Sequence, residues 1–248
     1  SHAPMAFGHC GILSLFASVC GTYWSDFRYA GAFNMTLLFP VIQVLSCIGM
    51  GVAFLRLLGV SRELSLGLQI SAGFCAGLGI LSWVLFPIGV MGLFGPVMLW
   101  FVLLIGLVGL YFPHPLPPFQ ASGTHRLLFS VLVLVLLVSL SLDVVEALTP
   151  PADADTLAYH FAIPKLFVEA GKIEFIERAY DGAVPLMVQL TYVPMLLLGT
   201  ETSLNLWAML SSWMTGLALY FVSREYLNSS YSLVVTVLFL SMPAVIFG

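Results

Sequence analysis

The chain of 248 residues is 60% hydrophobic and only 8% charged, and its formal net charge is −4. Because an average soluble domain carries roughly 25% charged residues, a chain this apolar cannot cover a surface that faces water, and its solvent must be lipid. The sequence has no basic patch for nucleic acid and no glycine-rich nucleotide-binding motif. The composition therefore predicts an all-α fold, a polytopic transmembrane helical bundle.

Six apolar stretches have the length of about 20 residues that a membrane-spanning helix needs. They are 32–58, 64–91, 93–112, 127–147, 203–222 and 231–247. Two more stretches are ambiguous, because 7–24 is broken by glycine and serine and 184–199 is short and contains two prolines. We divide the chain into 1–126, the N-terminal helices with a Pro-rich cytoplasmic loop, and 127–248, a core that ends in two further spans.

The arginines near the ends of the apolar stretches predict the orientation in the membrane. They are Arg56, Arg62, Arg126 and Arg224. Because short cytoplasmic loops are enriched in Lys and Arg, we expect all four on the cytoplasmic side of an inner or plasma membrane. The acidic loop 149–182 then lies on the periplasmic or extracellular side, and 184–199 is an interfacial helix there. The alternative, in which 184–199 crosses the membrane, would put Arg224 outside.

Charge is concentrated in residues 143–181, which hold eight of the 12 acidic residues and three of the 8 basic residues. Within this stretch, four residues fall mostly on one helical face: Leu157, Phe161, Leu166 and Phe167. Gly171 is suited to a helix C-cap. The pattern predicts an amphipathic juxtamembrane helix that lies on the outer membrane surface.

Asp153 and Asp155 form a D-x-D pair at the predicted start of this helix. Two carboxylates so spaced can share a divalent cation, or one can act as a base while the other orients it. The plainer interpretation is a helix N-cap with a solvated neighbour.

The next helical turn carries Tyr159 and His160, followed by Lys165. His160 could contact a phosphate or a sugar hydroxyl, but Tyr159 and His160 also fit an ordinary interfacial aromatic pair. Lys165 could bind an anionic lipid phosphate or could simply extend its amine to the surface.

Three polar residues near the predicted outer face complete the candidate site. Asp143 lies near the end of span 127–147, where an ionisable group is costly and often functional. Tyr180 precedes the segment 184–199, and Gln189 lies within it. They could line a cavity or could be polar groups in helix packing.

The order of these features resembles the GT-C membrane glycosyltransferases, in particular the bacterial branch related to protein mannosyltransferases and aminoarabinose transferases. The pattern is D-x-L-x-Y-H-x-x-x-P-K-x-x-x-E-x-G-x-I, from Asp155 to Ile173, followed by Pro185 and Arg224. It covers about residues 127–248. The helices before residue 113 are additional to the simplest plan of this family, and Gln189 stands where an acidic or more strongly polar residue is expected.

The resemblance implies an enzyme that transfers a sugar from a polyprenyl-phosphate donor to an acceptor on the outer face of the membrane. It implies Asp155 as the catalytic carboxylate, with Asp153 as second choice. A divalent cation, Mg²⁺ or Mn²⁺, is a candidate cofactor with Asp153 and Asp155 as ligands. Expected partners are membrane lipids and the lipid-linked donor, without nucleic acid.

The first residue is not Met and the chain ends at Gly248 within an apolar run, so we expect the N-terminal portion of a longer protein. That expectation keeps an alternative function open, a non-catalytic transmembrane subunit that packs against other membrane subunits. A transporter is disfavoured by the scarcity of charge within the spans.

Overall fold

The computed structural model describes residues 33–60, 64–111, 125–151, 159–177 and 187–242, and every regular element within these ranges is helical. The α-helices are α1 (Phe33–Leu57), α2 (Leu66–Val90), α3 (Pro96–Val108), α4 (Arg126–Ala147), α5 (Ala162–Ala170), α6 (Tyr192–Leu198), α7 (Glu201–Arg224) and α8 (Ser229–Leu240). The chain divides into two compact units, Ser1–Met35 and Thr36–Gly248, and the contacts given below belong to the second. The ambiguous apolar stretch 7–24 lies outside the described residues.

Four of these helices are long and apolar enough to cross a membrane. They are Thr36–Leu57, Leu66–Val90, Arg126–Ala147 and Glu201–Arg224. Their bounds agree to within a few residues with the predicted stretches 32–58, 64–91, 127–147 and 203–222. The prediction of an all-helical protein with apolar helices of membrane-spanning length is therefore confirmed.

The other two predicted spans are shorter in the described residues. The stretch 93–112 forms α3, which has 13 residues, and a 3-10 turn at Gly109–Tyr111. It starts late because Gly92, with φ of 71°, and Gly95 belong to the turn before Pro96. The stretch 231–247 forms α8, which has 12 residues and ends at Leu240, while 243–248 lie outside the described residues.

Hydrogen bonds between distant residues bring three helix ends together at one end of the bundle. Ser203 Oγ, in the first turn of α7, donates to the carbonyl of Thr36 at 3.1 Å. Asn205 Nδ2 donates to the carbonyl of Thr149, just after α4, at 3.0 Å. Because α1 and α7 begin here while α4 ends here, α4 runs antiparallel to α1 and α7.

The C-terminal end of α2 lies at the same end of the bundle. The backbone N–H of Ile173, which follows α5, donates to the carbonyl of Gly89 at 2.9 Å. The opposite ends of α1, α4 and α7 carry Arg56, Arg126 and Arg224. Arg56, Arg126 and Arg224 are therefore far from the described part of the acidic stretch, and Arg62 lies outside the described residues.

Small residues let the backbone of α1 come into contact with the backbones of α2 and of the turn that ends α3. A Cβ added at Gly77 of α2 would overlap the carbonyl of Cys47, and one added at Gly109 would overlap the carbonyl of Gly49. Without a hydrophobic driving force between helices in lipid, such close van der Waals packing is a main source of association. Cys47 on α1 is buried at this contact, whereas Cys75 on α2 is exposed.

Candidate functional site

The acidic stretch leads into a short apolar element that does not reach across the bundle. A 3-10 turn at Gln189–Thr191 continues directly into α6, which has 7 residues. Pro194 is tolerated because it lies in the first turn of α6, where its missing N–H has no helical acceptor. At 1.5 to 2 Å per residue the turn and helix together extend only about 15 Å, about half of a bilayer core.

Gln189 lies at the start of this turn and contacts His160. The two atoms Gln189 Nε2 and His160 Nδ1 are 2.9 Å apart. An amide nitrogen only donates, so Nδ1 must accept, and the neutral imidazole then carries its proton on Nε2. His160 is therefore set up to donate a hydrogen bond from Nε2 rather than to abstract a proton.

Aromatic rings surround this pair. The Tyr159 and His160 rings are tilted, with centroids 4.1 Å apart. Phe161 meets Tyr192 of α6 edge to face at 6.0 Å. Burial raises the pKa of Tyr192, so its hydroxyl stays neutral at physiological pH. These contacts fix the residues just before α5 against the start of α6.

Helix α5 buries one face. It buries Ile163, Pro164 and Phe167, and Phe161 just before it is 6% exposed. Leu166 is predicted from the sequence to lie on this buried face. It is 41% exposed and lies outside that face.

The end of α5 is fixed by a turn and by the α2–α3 connection. Gly171 has φ of 67° and serves as the C-cap, as predicted. Its carbonyl accepts from the N–H of Phe94 at 3.2 Å, and Ile173 bonds to Gly89 as described above. The acidic stretch is thus attached to the same end of the bundle on both sides of His160.

Thr191, two residues after Gln189, forms the centre of a buried polar network. Its carbonyl accepts from Gln43 Nε2 at 2.9 Å, and its Oγ1 accepts from Trp207 Nε1 at 3.1 Å. Gln43 and Thr191 are fully buried and Trp207 is 1% exposed. None of these three residues is among the candidates predicted from the sequence. Gln43 was recognisable as a polar side chain in the middle of an apolar span.

Lys165 forms an ion pair with Glu201 in the first turn of α7. The two side chains are 29% and 34% exposed. The pair connects α5 to α7 and compensates the Lys165 charge. Lys165 therefore meets an anionic ligand only in competition with Glu201.

Asp143 does not share the contact between His160 and Gln189. Its Oδ2 accepts from Trp213 Nε1 at 2.8 Å, which ties α4 to α7. Trp213 lies six residues beyond Trp207 along α7, which is about 9 Å at the helical rise. The carboxylate thus lies deeper in the bundle than the other described candidates.

The remaining candidates, Asp153, Asp155 and Tyr180, lie outside the described residues. Among the residues that the structure does describe, no group of three or more His, Cys, Asp or Glu side chains could hold a metal ion. The described part of the site therefore offers hydrogen-bond donors and aromatic surface, and the cation ligands stay a prediction for Asp153 and Asp155.

Comparison with protein-family models, with curated proteins and with solved structures finds no significant match to this chain. The resemblance to GT-C glycosyltransferases therefore rests on the residues quoted for it.

Proposed function

We propose that the chain is a GT-C type membrane glycosyltransferase, or the N-terminal part of one, that uses a polyprenyl-phosphate sugar donor. The observation that carries this proposal is the contact between His160 and Gln189. It lies at the end of the bundle where the acidic stretch is attached, and it leaves a hydrogen-bond donor at His160 Nε2. A donor there suits an oxygen of the sugar or of the phosphate.

In the proposed reaction an acceptor hydroxyl attacks the anomeric carbon of the donor sugar. The bond between that carbon and the phosphate oxygen breaks, and polyprenyl phosphate leaves. Asp155 takes the proton of the acceptor hydroxyl, and Asp153 orients it. In this scheme His160, whose Nδ1 is paired with Nε2 of Gln189, acts as a hydrogen-bond donor through Nε2.

The other candidates assist binding. Tyr159 supplies an aromatic face beside His160, and Tyr180 and Gln189 supply polar groups at the sugar. When Lys165 is released from Glu201, its positive charge balances the negative charge of the phosphate. In the alternative role of this pair, Asp153 and Asp155 would hold a divalent cation, Mg²⁺ or Mn²⁺, which would supply positive charge beside the leaving phosphate, and Asp155 would then be a ligand instead of the base.

The proposed location is an inner or plasma membrane with the acidic end on the periplasmic or extracellular side. The arginines Arg56, Arg126 and Arg224 at the other end of the bundle support it, because cytoplasmic ends are enriched in basic residues. At the outer face the acidic stretch lies at headgroup level, where a lipid-linked sugar phosphate is found.

Transfer of a radiolabelled sugar from polyprenyl phosphate, in membranes that contain the whole chain, tests this proposal. We expect Asp155→Asn to lower transfer by a factor of about 100 or more, since removal of a general base has effects of this size. His160→Leu should lower it by a factor of about 10 or more, as loss of a charge-assisted donor does. The control His125→Leu lies at the far end of α4, where His125 makes no capping bond, and should leave transfer unchanged.

Equal transfer by wild type and Asp155→Asn would remove Asp155 from the mechanism. No transfer by folded wild type from any of a set of polyprenyl-phosphate sugars would overturn the proposal.

The alternative is a non-catalytic subunit of a larger membrane complex. The observation that favours it is the exposure of α4. In the most apolar 18-residue segment of this helix, only 6% is buried within the chain. Purification in mild detergent distinguishes the two, because this alternative requires partner subunits in fixed stoichiometry and no transfer activity.

A further inference from the structure

We infer that Gln43 and Trp207 are positioning residues that, acting through Thr191, hold Gln189 against His160. The inference concerns the geometry of the candidate site. Its importance for sugar transfer rests on the proposed function.

Gln189 and Thr191 are the first and last residues of one 3-10 turn. Such a turn is short and has poorer hydrogen-bond geometry than an α-helix, so contacts with other helices help to fix its position at the start of α6. Any movement of Thr191 moves Gln189 with it. A shift of about 1 Å would lengthen the 2.9 Å contact to His160 beyond hydrogen-bond range.

The turn is held from two sides by helices that are remote in sequence. Gln43 of α1 bonds to the Thr191 carbonyl, and Trp207 of α7 bonds to the Thr191 hydroxyl. The same hydroxyl donates to the carbonyl of Val188 at 2.7 Å, which closes the turn on itself. Because one donor reaches the backbone and the other the side chain, Thr191 can neither translate nor rotate without breaking a buried bond.

The chemistry of Gln43 indicates positioning rather than simple stabilisation. Its side chain is fully buried, and Oε1 accepts no hydrogen bond from the residues that the structure describes. A buried polar atom without a partner costs free energy that an apolar side chain of the same size would not. The useful part of Gln43 is therefore Nε2, the donor that fixes the turn.

The test measures the protonation of the two ring nitrogens of His160. It uses ¹⁵N NMR of the whole chain with labelled histidine in lipid nanodiscs. The variant His160→Gln identifies the His160 signals among those of the five histidines. In wild type we expect one tautomer, with Nδ1 unprotonated and Nε2 protonated. Gln189→Leu removes the hydrogen bond to His160. Its spectrum is therefore the reference for a released ring, one that exchanges between the two tautomers.

We expect Gln43→Met and Trp207→Phe to give the signals of the released ring. Matched controls remove similar bonds elsewhere. Gln69→Met removes a buried glutamine whose Nε2 donates to the Leu64 carbonyl at 2.8 Å, and Trp213→Phe removes the indole bond to Asp143. Both controls should keep the wild-type His160 signals even where they lower stability.

Thr191 provides a second pair of variants that tests the inference if a core substitution prevents folding. Thr191→Val keeps the shape and removes the hydroxyl, so it should release the ring, whereas Thr191→Ser keeps the hydroxyl and should restore the wild-type signals. Under the proposed function, transfer should fall about tenfold in Thr191→Val, the equivalent of one net hydrogen bond.

Wild-type His160 signals in Gln43→Met, Trp207→Phe and Thr191→Val, with altered signals in Gln189→Leu, would overturn the inference. Unaltered signals in Gln189→Leu would overturn it as well. Altered signals without any sugar transfer by wild type would leave the positioning role in place and would refute the proposed function alone.

Discussion

Trp213 on α7 donates its indole N–H to Oδ2 of Asp143 on α4 at 2.8 Å, and this bond joins two membrane-length helices. We expect Asp143→Asn to retain an acceptor oxygen and to unfold with nearly wild-type free energy. Asp143→Leu leaves the indole donor without a partner and should cost about 1–3 kcal/mol. Titration of the purified protein with a denaturing detergent measures both.

The double variant Asp143→Leu with Trp213→Phe is the control for this bond, because replacing both partners with apolar groups should recover part of the loss. Additive losses would show that the two residues are not coupled. A large loss of transfer in a stable Asp143→Asn would instead give the Asp143 charge a role at the substrate.

Gly77 on α2 should be intolerant of any side chain. Alanine there would overlap the Cys47 carbonyl, whereas Gly79 on the same helix has nothing within 4 Å of the added Cβ. We expect Gly77→Ala to lower the free energy of unfolding by about 2 kcal/mol or more, the range of overpacked cores. Gly79→Ala should leave it unchanged or slightly raised, since alanine has the higher helix propensity. Equal stability of the two variants would contradict the close packing of α1 on α2.

The ion pair between Lys165 and Glu201 should contribute little to stability. Both side chains are about one-third exposed, and pairs of this kind contribute about 0.2–1 kcal/mol. A double-mutant cycle with Lys165→Met and Glu201→Gln should give a coupling within that range, and the coupling should fall as salt is added. The pair Lys172 and Glu174, which is more exposed, should give no measurable coupling. A coupling well above 1 kcal/mol that salt does not reduce would show that the Lys165 pair is effectively buried.

The helices were predictable because hydropathy and length suffice in lipid, where every backbone polar group must be paired within the chain. The bounds of α1, α2, α4 and α7 follow from that rule. The shorter α3 was not foreseen, because an apolar run does not reveal that Gly92 and Gly95 form a turn before Pro96.

The site was predicted only in part. His160 and Gln189 were both named as candidates, but their contact was not, since nothing in a single sequence joins residues 29 positions apart. Thr191 and Trp207 were missed because threonine and tryptophan are ordinary in apolar helices, and only the fold brings them together with Gln43.

The two ends of the bundle should face opposite sides of the membrane. Glu174 follows α5 at the end that carries the site, and Tyr226 follows Arg224 at the other end; both side chains are exposed. In intact cells, a membrane-impermeant maleimide should label Glu174→Cys, while Tyr226→Cys should react only after permeabilisation. The matched background is the chain with its four cysteines replaced by serine or alanine. The reverse pattern would place the acidic end in the cytoplasm and remove access to an outer-face sugar donor. Labelling of both positions from one side would instead support the alternative in which 184–199 crosses the membrane as well as α7.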